Sequence, residues 1–192
     1  KLLDLLDDSE PFNKTLEHVQ SAVQQKVPAE LRLGNLYGST KNLVAAGLAH
    51  KLDKSLIYIT RGSRQAEKIE ADLLNFLPAG KVRNFPQWEI LPYEDARPEP
   101  GIAGSRVEVF LALMDRAPGI TVTPVRALQQ KVSAPENFCS RVRTLKVEED
   151  LDLEQLLSDL VEMGFRREAM VEEVGSFSLR GGILDIYGYG ME

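Results

Sequence analysis

Ser55-Leu56-Ile57-Tyr58-Ile59-Thr60 runs directly into Arg61-Gly62-Ser63-Arg64-Gln65-Ala66-Glu67-Lys68-Ile69-Glu70-Ala71-Asp72-Leu73-Leu74. The first six residues are rich in β-branched and aromatic side chains and predict a strand. In the next fourteen, Ala66, Ile69, Leu73 and Leu74 recur at helical spacing on one face. Pro78 lies beyond the end of that helix, where it stops continuation. A strand that hands over to a helix is half of a βαβ unit, the element from which parallel sheets are built.

The alternation continues on both sides. Towards the N-terminus, Leu31 to Tyr37 reads as a short strand, Gly38-Ser39-Thr40 as a turn, and Asn42 to His50 as a small-residue helix. Towards the C-terminus, Lys81 to Phe85 reads as another strand. Glu89 to Gly104 carries Pro92, Pro98, Pro100, Gly101 and Gly104 and reads as a long irregular connection. Trp88, between Pro86 and Pro92, is expected to pin that connection to the core. Ser105-Arg106-Val107-Glu108 has the form of a capping box and is expected to open a helix running to about Met114. Gly119 to Val125 is short and β-branched, hence a strand. Ahead of all this, Leu2, Leu3, Leu5 and Leu6 predict a short helix broken near Pro11. Leu16, Val19, Val23 and Val27 predict a second, ended by Pro28.

Pro135 and Asn137 mark a boundary. Beyond it, Arg141 to Val147 reads as a strand and Leu153 to Met163 as a helix capped by Asp152, with Gly164 at its C′ position. Strands are expected over Ala169–Val174 and Phe177–Tyr187. The expected fold class is α/β: a parallel-sheet domain of helicase-like type with a degenerate P-loop, then a small α+β module. The expected divisions are a helical segment over 1–29, the sheet domain over 30–138 and the small module over 139–192.

Composition narrows the function. The chain has 192 residues, 43% of them hydrophobic, enough for a sizeable core. No apolar run approaches the roughly 18 residues of a membrane span. The acidic, amphipathic start Lys1-Leu2-Leu3-Asp4 is unlike a secretory signal. Cys139 stands alone, which excludes a disulfide within the chain and fits a cytoplasmic protein. His18 and His50 have no Cys or His at ligand spacing, so no metal site is expected. The net charge is −6. Residues 141–192 hold six basic and twelve acidic side chains, leaving 17 of each in residues 1–140. The C-terminal stretch thus carries all the excess negative charge, which disfavours a phosphate backbone and suits a basic protein surface.

Two stretches carry candidate chemistry. In Phe177-Ser178-Leu179-Arg180-Gly181-Gly182-Ile183-Leu184-Asp185-Ile186 an arginine sits in an alternating strand pattern before two glycines. A turn or bulge at Gly181-Gly182 can hold Arg180 outward, where its planar fork suits carboxylates. A hairpin with a merely solvated arginine has the same pattern. The second stretch, Gly34 to Lys41, sits where a helicase-like fold carries its phosphate loop. A working loop reads G-x-x-x-x-G-K-[ST]. Here three residues separate Gly34 from Gly38, Ser39 and Thr40 follow, and Lys41 comes three positions after Gly38. The catalytic spacing is broken, so no ATP hydrolysis is expected. Ser39, His50 and Asp53 do not make a triad by proximity in sequence, and Glu172-Glu173 reads as a solvated strand edge.

The Phe177–Ile186 stretch resembles the "RG-(small)-(apolar)-(apolar)-D" signature of the UvrB-homology module. That module is shared by UvrB and the bacterial transcription-repair coupling factor (Mfd) family. Three further stretches resemble the coupling-factor family in the same order: Asn84-Phe85-Pro86-Gln87-Trp88-Glu89-Ile90-Leu91-Pro92-Tyr93-Glu94, Gly104-Ser105-Arg106, and Thr121-Val122-Thr123-Pro124-Val125-Arg126-Ala127-Leu128-Gln129-Gln130. The broken phosphate loop sides with the coupling factor, since UvrB keeps an intact one. The resemblance implies that 30–138 is a UvrB-like first domain and 139–192 a UvrA-contacting second module that continues past residue 192. It implies UvrA as partner, through Arg180 first, Gly181 and Gly182 as its presenting turn, and Phe177 and Leu179 less directly. It also implies no cofactor for this stretch. ATP, Mg²⁺, RNA polymerase and DNA belong to other domains of the full-length family member. The alternatives are a UvrB-like ATP-dependent DNA-damage-binding fragment and a DNA-binding module.

Overall fold

The computed structural model describes residues 2–89 and 99–189. The chain divides into two compact units: Lys1–Trp88 with Glu108–Gln129, and Glu89–Val107 with Gln130–Glu192.

The first unit is built on a parallel three-stranded sheet of β1 (Ser55–Thr60), β2 (Val82–Asn84) and β3 (Gly119–Pro124), in the order β1-β3-β2. Ser55 aligns with Gly119 and Val82 with Ile120. The central strand is the most buried, with Ile120 and Val122 both 0% exposed. Helices α1 (Glu10–Gln25), α2 (Thr40–Leu52) and α3 (Ser63–Leu73) belong to this unit. Small residues of α2 (Ala46, Ala49) and the apolar face of α3 (Ala66, Ile69, Leu73) close over Ile120, Val122 and Val82. A second cluster joins Phe85, Val109 and Ala127, with Phe110 edge-to-face on Phe85 at 5.4 Å. Trp88 is half-buried.

The N-terminal segment is part of this unit. A 3₁₀ turn over Leu3–Leu6 precedes α1. Leu6 and Phe12 are buried against Gly47 of α2, where a Cβ would meet Leu6 and come within 2.9 Å of the Phe12 ring. Pro11 does not break a helix. It occupies the first turn of α1, where its missing N–H has no intrahelical partner in any case.

The expected strand at Leu31 to Tyr37 does not form. The segment is irregular, pairs with no strand, and leaves Leu31, Leu33 and Tyr37 exposed. An apolar run becomes a strand only where a neighbour takes its backbone bonds, and here β1 is the sheet edge. The degenerate P-loop expected there therefore lacks the strand such a loop extends from.

Helix α4 (Pro100–Met114) begins five residues before the expected capping box. Proline at the first helical position suits the start. Ser105 lies inside the helix, where its Oγ donates to the Gly101 carbonyl at 3.0 Å rather than capping. Arg106 is 2% exposed, and burial lowers its guanidinium to about 10. Residues 90–98 of the expected proline-rich connection lie outside the described residues. Short helices α5 (Val125–Leu128) and α6 (Pro135–Cys139) follow β3.

The second unit carries α7 (Leu153–Glu162) and the strands β4 (Arg166–Arg167), β5 (Ser176–Arg180) and β6 (Ile183–Tyr187), in the order β4-β5-β6. Asp152 caps α7 by accepting from the Gln155 N–H at 3.0 Å, and Gly164 follows at φ +91°. The expected strand at Arg141–Val147 is absent. Its backbone closes turns onto Phe138 and Cys139, and Arg143 reaches back to the Ser140 carbonyl and across to Asp159. The strand expected at Ala169–Val174 is also displaced. Only Arg166–Arg167 pairs, parallel to β5, and the following residues loop out and back.

Candidate partner-binding site

Strands β5 and β6 form an antiparallel hairpin in which Phe177 aligns with Ile186, Leu179 with Leu184 and Arg180 with Ile183. Gly181 and Gly182 are the two-residue turn, with φ +60° at Gly181 alone, the pattern of a type II′ turn. Glycine makes this turn without a steric penalty. Alternation then assigns the faces. Phe177, Leu179, Leu184 and Ile186 share one face, and Phe177, Leu184 and Ile186 pack with Leu156 and Leu160 of α7. Ser176, Ser178, Arg180, Ile183, Asp185 and Tyr187 share the other.

That second face is closed near the base of the hairpin and open at its tip. Ser178 Oγ donates to the Ala169 carbonyl at 3.0 Å, and Ser176 Oγ donates to the Glu173 carbonyl. Both serines are buried by the returning loop. Beyond them Arg180, Gly181, Gly182 and Ile183 are exposed, Ile183 at 65%. Arg180 donates from Nη2 to Asp185 Oδ2 at 2.7 Å across the hairpin. The guanidinium is thus oriented on a hydrogen-bonded hairpin and still reachable from solvent. Arg166, nearer the base, is committed to Glu173 at 2.6 Å, and that hydrogen bond holds its guanidinium above its ordinary range.

The residues singled out from sequence therefore separate. Arg180, Gly181 and Gly182 form the exposed tip. Phe177 is 1% exposed, so it is part of the core beneath the tip and offers no contact surface. Leu179 is half-buried on the same face as Phe177. Asp185 and Ile183 complete the tip and were not among the expected site residues. The signal for both was present, because a two-residue turn after Arg180 sets Ile183 opposite it and Asp185 diagonal to it.

The second candidate stretch is also divided. Gly38, at φ +56°, Ser39 and Lys41 line a cleft beside the start of α2. Gly34 lies in the irregular exposed segment, and Thr40 is the first residue of α2. Ser39 Oγ donates to Asp72 Oδ1 at 3.0 Å and Asn42 Nδ2 donates to Asp72 Oδ2 at 2.5 Å. Tyr58 OH donates to Asn42 Oδ1 at 3.0 Å, and burial together with the Asp72 charge pushes the Tyr58 hydroxyl up. This network ties α2 to α3 and β1, and both oxygens of the cleft's carboxylate have partners within it.

Residues 144–192, the stretch holding α7 and the hairpin, match the family of the UvrB interaction domain. Over 170 residues the chain is 33% identical to the transcription-repair-coupling factor of Staphylococcus aureus strain bovine RF122 / ET3-1, covering 88% of this chain and 15% of that protein. It is 35% identical over 149 residues to the transcription-repair-coupling factor of Staphylococcus haemolyticus strain JCSC1435, covering 78% of this chain and 13% of that protein. The chain spans about 15% of the length of such relatives. With the UvrB interaction domain at the end that bears the Arg180 hairpin, the chain belongs to the transcription-repair-coupling factor family.

Proposed function

We propose that this chain is the part of a transcription-repair coupling factor that docks UvrA, and so brings excision repair to a stalled RNA polymerase. The chain is a docking module without ATP turnover of its own. The motor and the contact with polymerase belong to the remainder of the full-length protein. One observation carries the reading: within the matched domain, an arginine is oriented by Asp185 on the tip of a hairpin and remains exposed. Arginine is, with tryptophan and tyrosine, enriched among the few residues that carry most of the energy of a protein interface. The stretch from Gly34 to Lys41 supports the absence of turnover, since no strand leads into it and its lysine is out of register.

Calorimetric titration with purified UvrA tests the proposal. The wild-type chain should bind, and Arg180→Ala should weaken binding by about 2 kcal/mol, the range of an interface hot spot. Equal binding by the variant would remove Arg180 from the interface. A folded wild-type chain with no affinity for UvrA would overturn the docking role.

A further inference from the structure

Lys41, Arg61, Arg64 and Lys68 line one cleft of about 1100 Å³ in the first unit. All four side chains are exposed, and none of them forms an ion pair among the described residues. Arg64 and Lys68 are four apart on α3, a like-charge spacing that is mildly unfavourable in an isolated helix. Among the described residues the one acidic residue lining the cleft, Asp72, accepts from Ser39 and Asn42 and so is satisfied within the fold. The chain as a whole is acidic, yet this concavity gathers four basic side chains against one carboxylate.

The lining also limits what such charge can hold. Among the described residues its only apolar side chains are Ile69 and Ala71, and Ile69 is 3% exposed. Protein interfaces are enriched in aromatic side chains and depleted in lysine, and among the described residues the lining has two lysines and no aromatic side chain. Ser39, Ser63, Gln65 and Asn75 add neutral polar residues to the lining. The volume is at the upper end of small-ligand pockets, which run to roughly 1,000 Å³. Arg64 and Lys68 stand one helical turn, about 6 Å, apart along α3. Phosphates of one strand follow each other at about 3.4 Å along the axis, so neighbouring phosphates fall within reach of successive cations.

We propose that this cleft binds a run of adjacent phosphates, with Lys41, Arg61, Arg64 and Lys68 as the neutralising groups. A nucleic-acid backbone and a soluble oligophosphate present the same chemistry, and the test separates them. This site lies in a different unit from the Arg180 hairpin, so its failure leaves the docking reading standing.

Fluorescence anisotropy of the whole chain with a labelled 12-base-pair DNA duplex and a labelled 12-nucleotide strand, from low to moderate salt, measures the binding. Four phosphate contacts give a slope of log K against log salt of about −3.6 on duplex and about −2.8 on single strand. The triple variant R61A/R64A/K68A should weaken binding roughly tenfold or more and flatten the slope by about 2.7 on duplex and about 2.1 on single strand. The charge-keeping variant R61K/R64K/K68R should retain it. Inorganic tripolyphosphate that displaces the DNA at comparable phosphate concentration identifies the oligophosphate source, and DNA that resists it identifies the backbone. The proposal is overturned if neither DNA binds at 50 mM salt and tripolyphosphate does not shift the melting temperature. It is also overturned if R61A/R64A/K68A binds as the wild type does, or if polyglutamate competes as well as DNA at equal charge.

Discussion

Phe177 and Arg180 are three residues apart in one strand and face opposite ways, and their substitutions should separate stability from recognition. Phe177 is 1% exposed among Leu156, Leu160 and Ile186, so Phe177→Ala should cost about 3–5 kcal/mol in urea denaturation. Among the described residues Arg180 makes a single exposed ion pair, so Arg180→Ala should change stability by no more than about 1 kcal/mol. A variant that loses UvrA and keeps its urea midpoint has lost a contact, whereas one that loses both has lost its fold. Gly119 makes a sharper demand on the backbone. It sits at φ +148°, and a Cβ there would come within 2.5 Å of the Lys81 carbonyl oxygen. Gly119→Ala should therefore destabilise the parallel sheet by about 1–3 kcal/mol from backbone strain, read as a lower melting temperature of the variant. No pattern of neighbouring residues marks that glycine, because the carbonyl it must avoid lies 38 positions away.

Helix α7 shows what an element contributes. Its cap at Asp152, its apolar stripe and its C-terminal glycine are all local signals, and the helix forms where they place it. Its outer side does something less local. Asp159 accepts from Gln155 Nε2 at 2.9 Å and from Arg143 Nε at 2.8 Å, which ties the preceding loop to the helix. The hydrogen bond from Gln155, then that from Arg143, holds the Asp159 carboxyl below its usual range. A carboxyl with a lowered folded pKa stabilises the fold above its unfolded value, near 3.9, and this contribution fades as pH falls towards the folded value. Asp159→Asn should remove that part of the pH dependence. The gap between wild-type and variant stability should be full at pH 6 and narrow steadily below about pH 4, as measured by denaturation at a series of pH values. Arg143 also explains why Arg141–Val147 is no strand, since its guanidinium is used to close a turn. The partner that holds Arg143, Asp159, lies sixteen positions along the chain, so the local run could not report it.

At the scale of the whole molecule the two units have separate cores, Ile120 and Val122 in one and Leu156, Leu160 and Phe177 in the other. Hydrogen exchange should therefore respond separately. Gly119→Ala should accelerate exchange in β1, β2 and β3 and spare β5 and β6, and Phe177→Ala should do the reverse. Uniform loss in both variants would mean a single cooperative fold. The parallel α/β character, strands β1 and β3, helices α2, α3 and α7 and the glycine turn of the hairpin were determined by sequence alone, because apolar periodicity, capping and turn chemistry act over a few residues. The family was legible too, through short stretches recurring in order. Only the tertiary structure decided that Leu31 to Tyr37 has no strand to pair with, that Phe177 is core while Arg180 is tip, and that Lys41 joins Arg61, Arg64 and Lys68 around one cleft. Each of these depends on which distant backbone or side chain arrives alongside, and that is a property of packing rather than of any local run of residues.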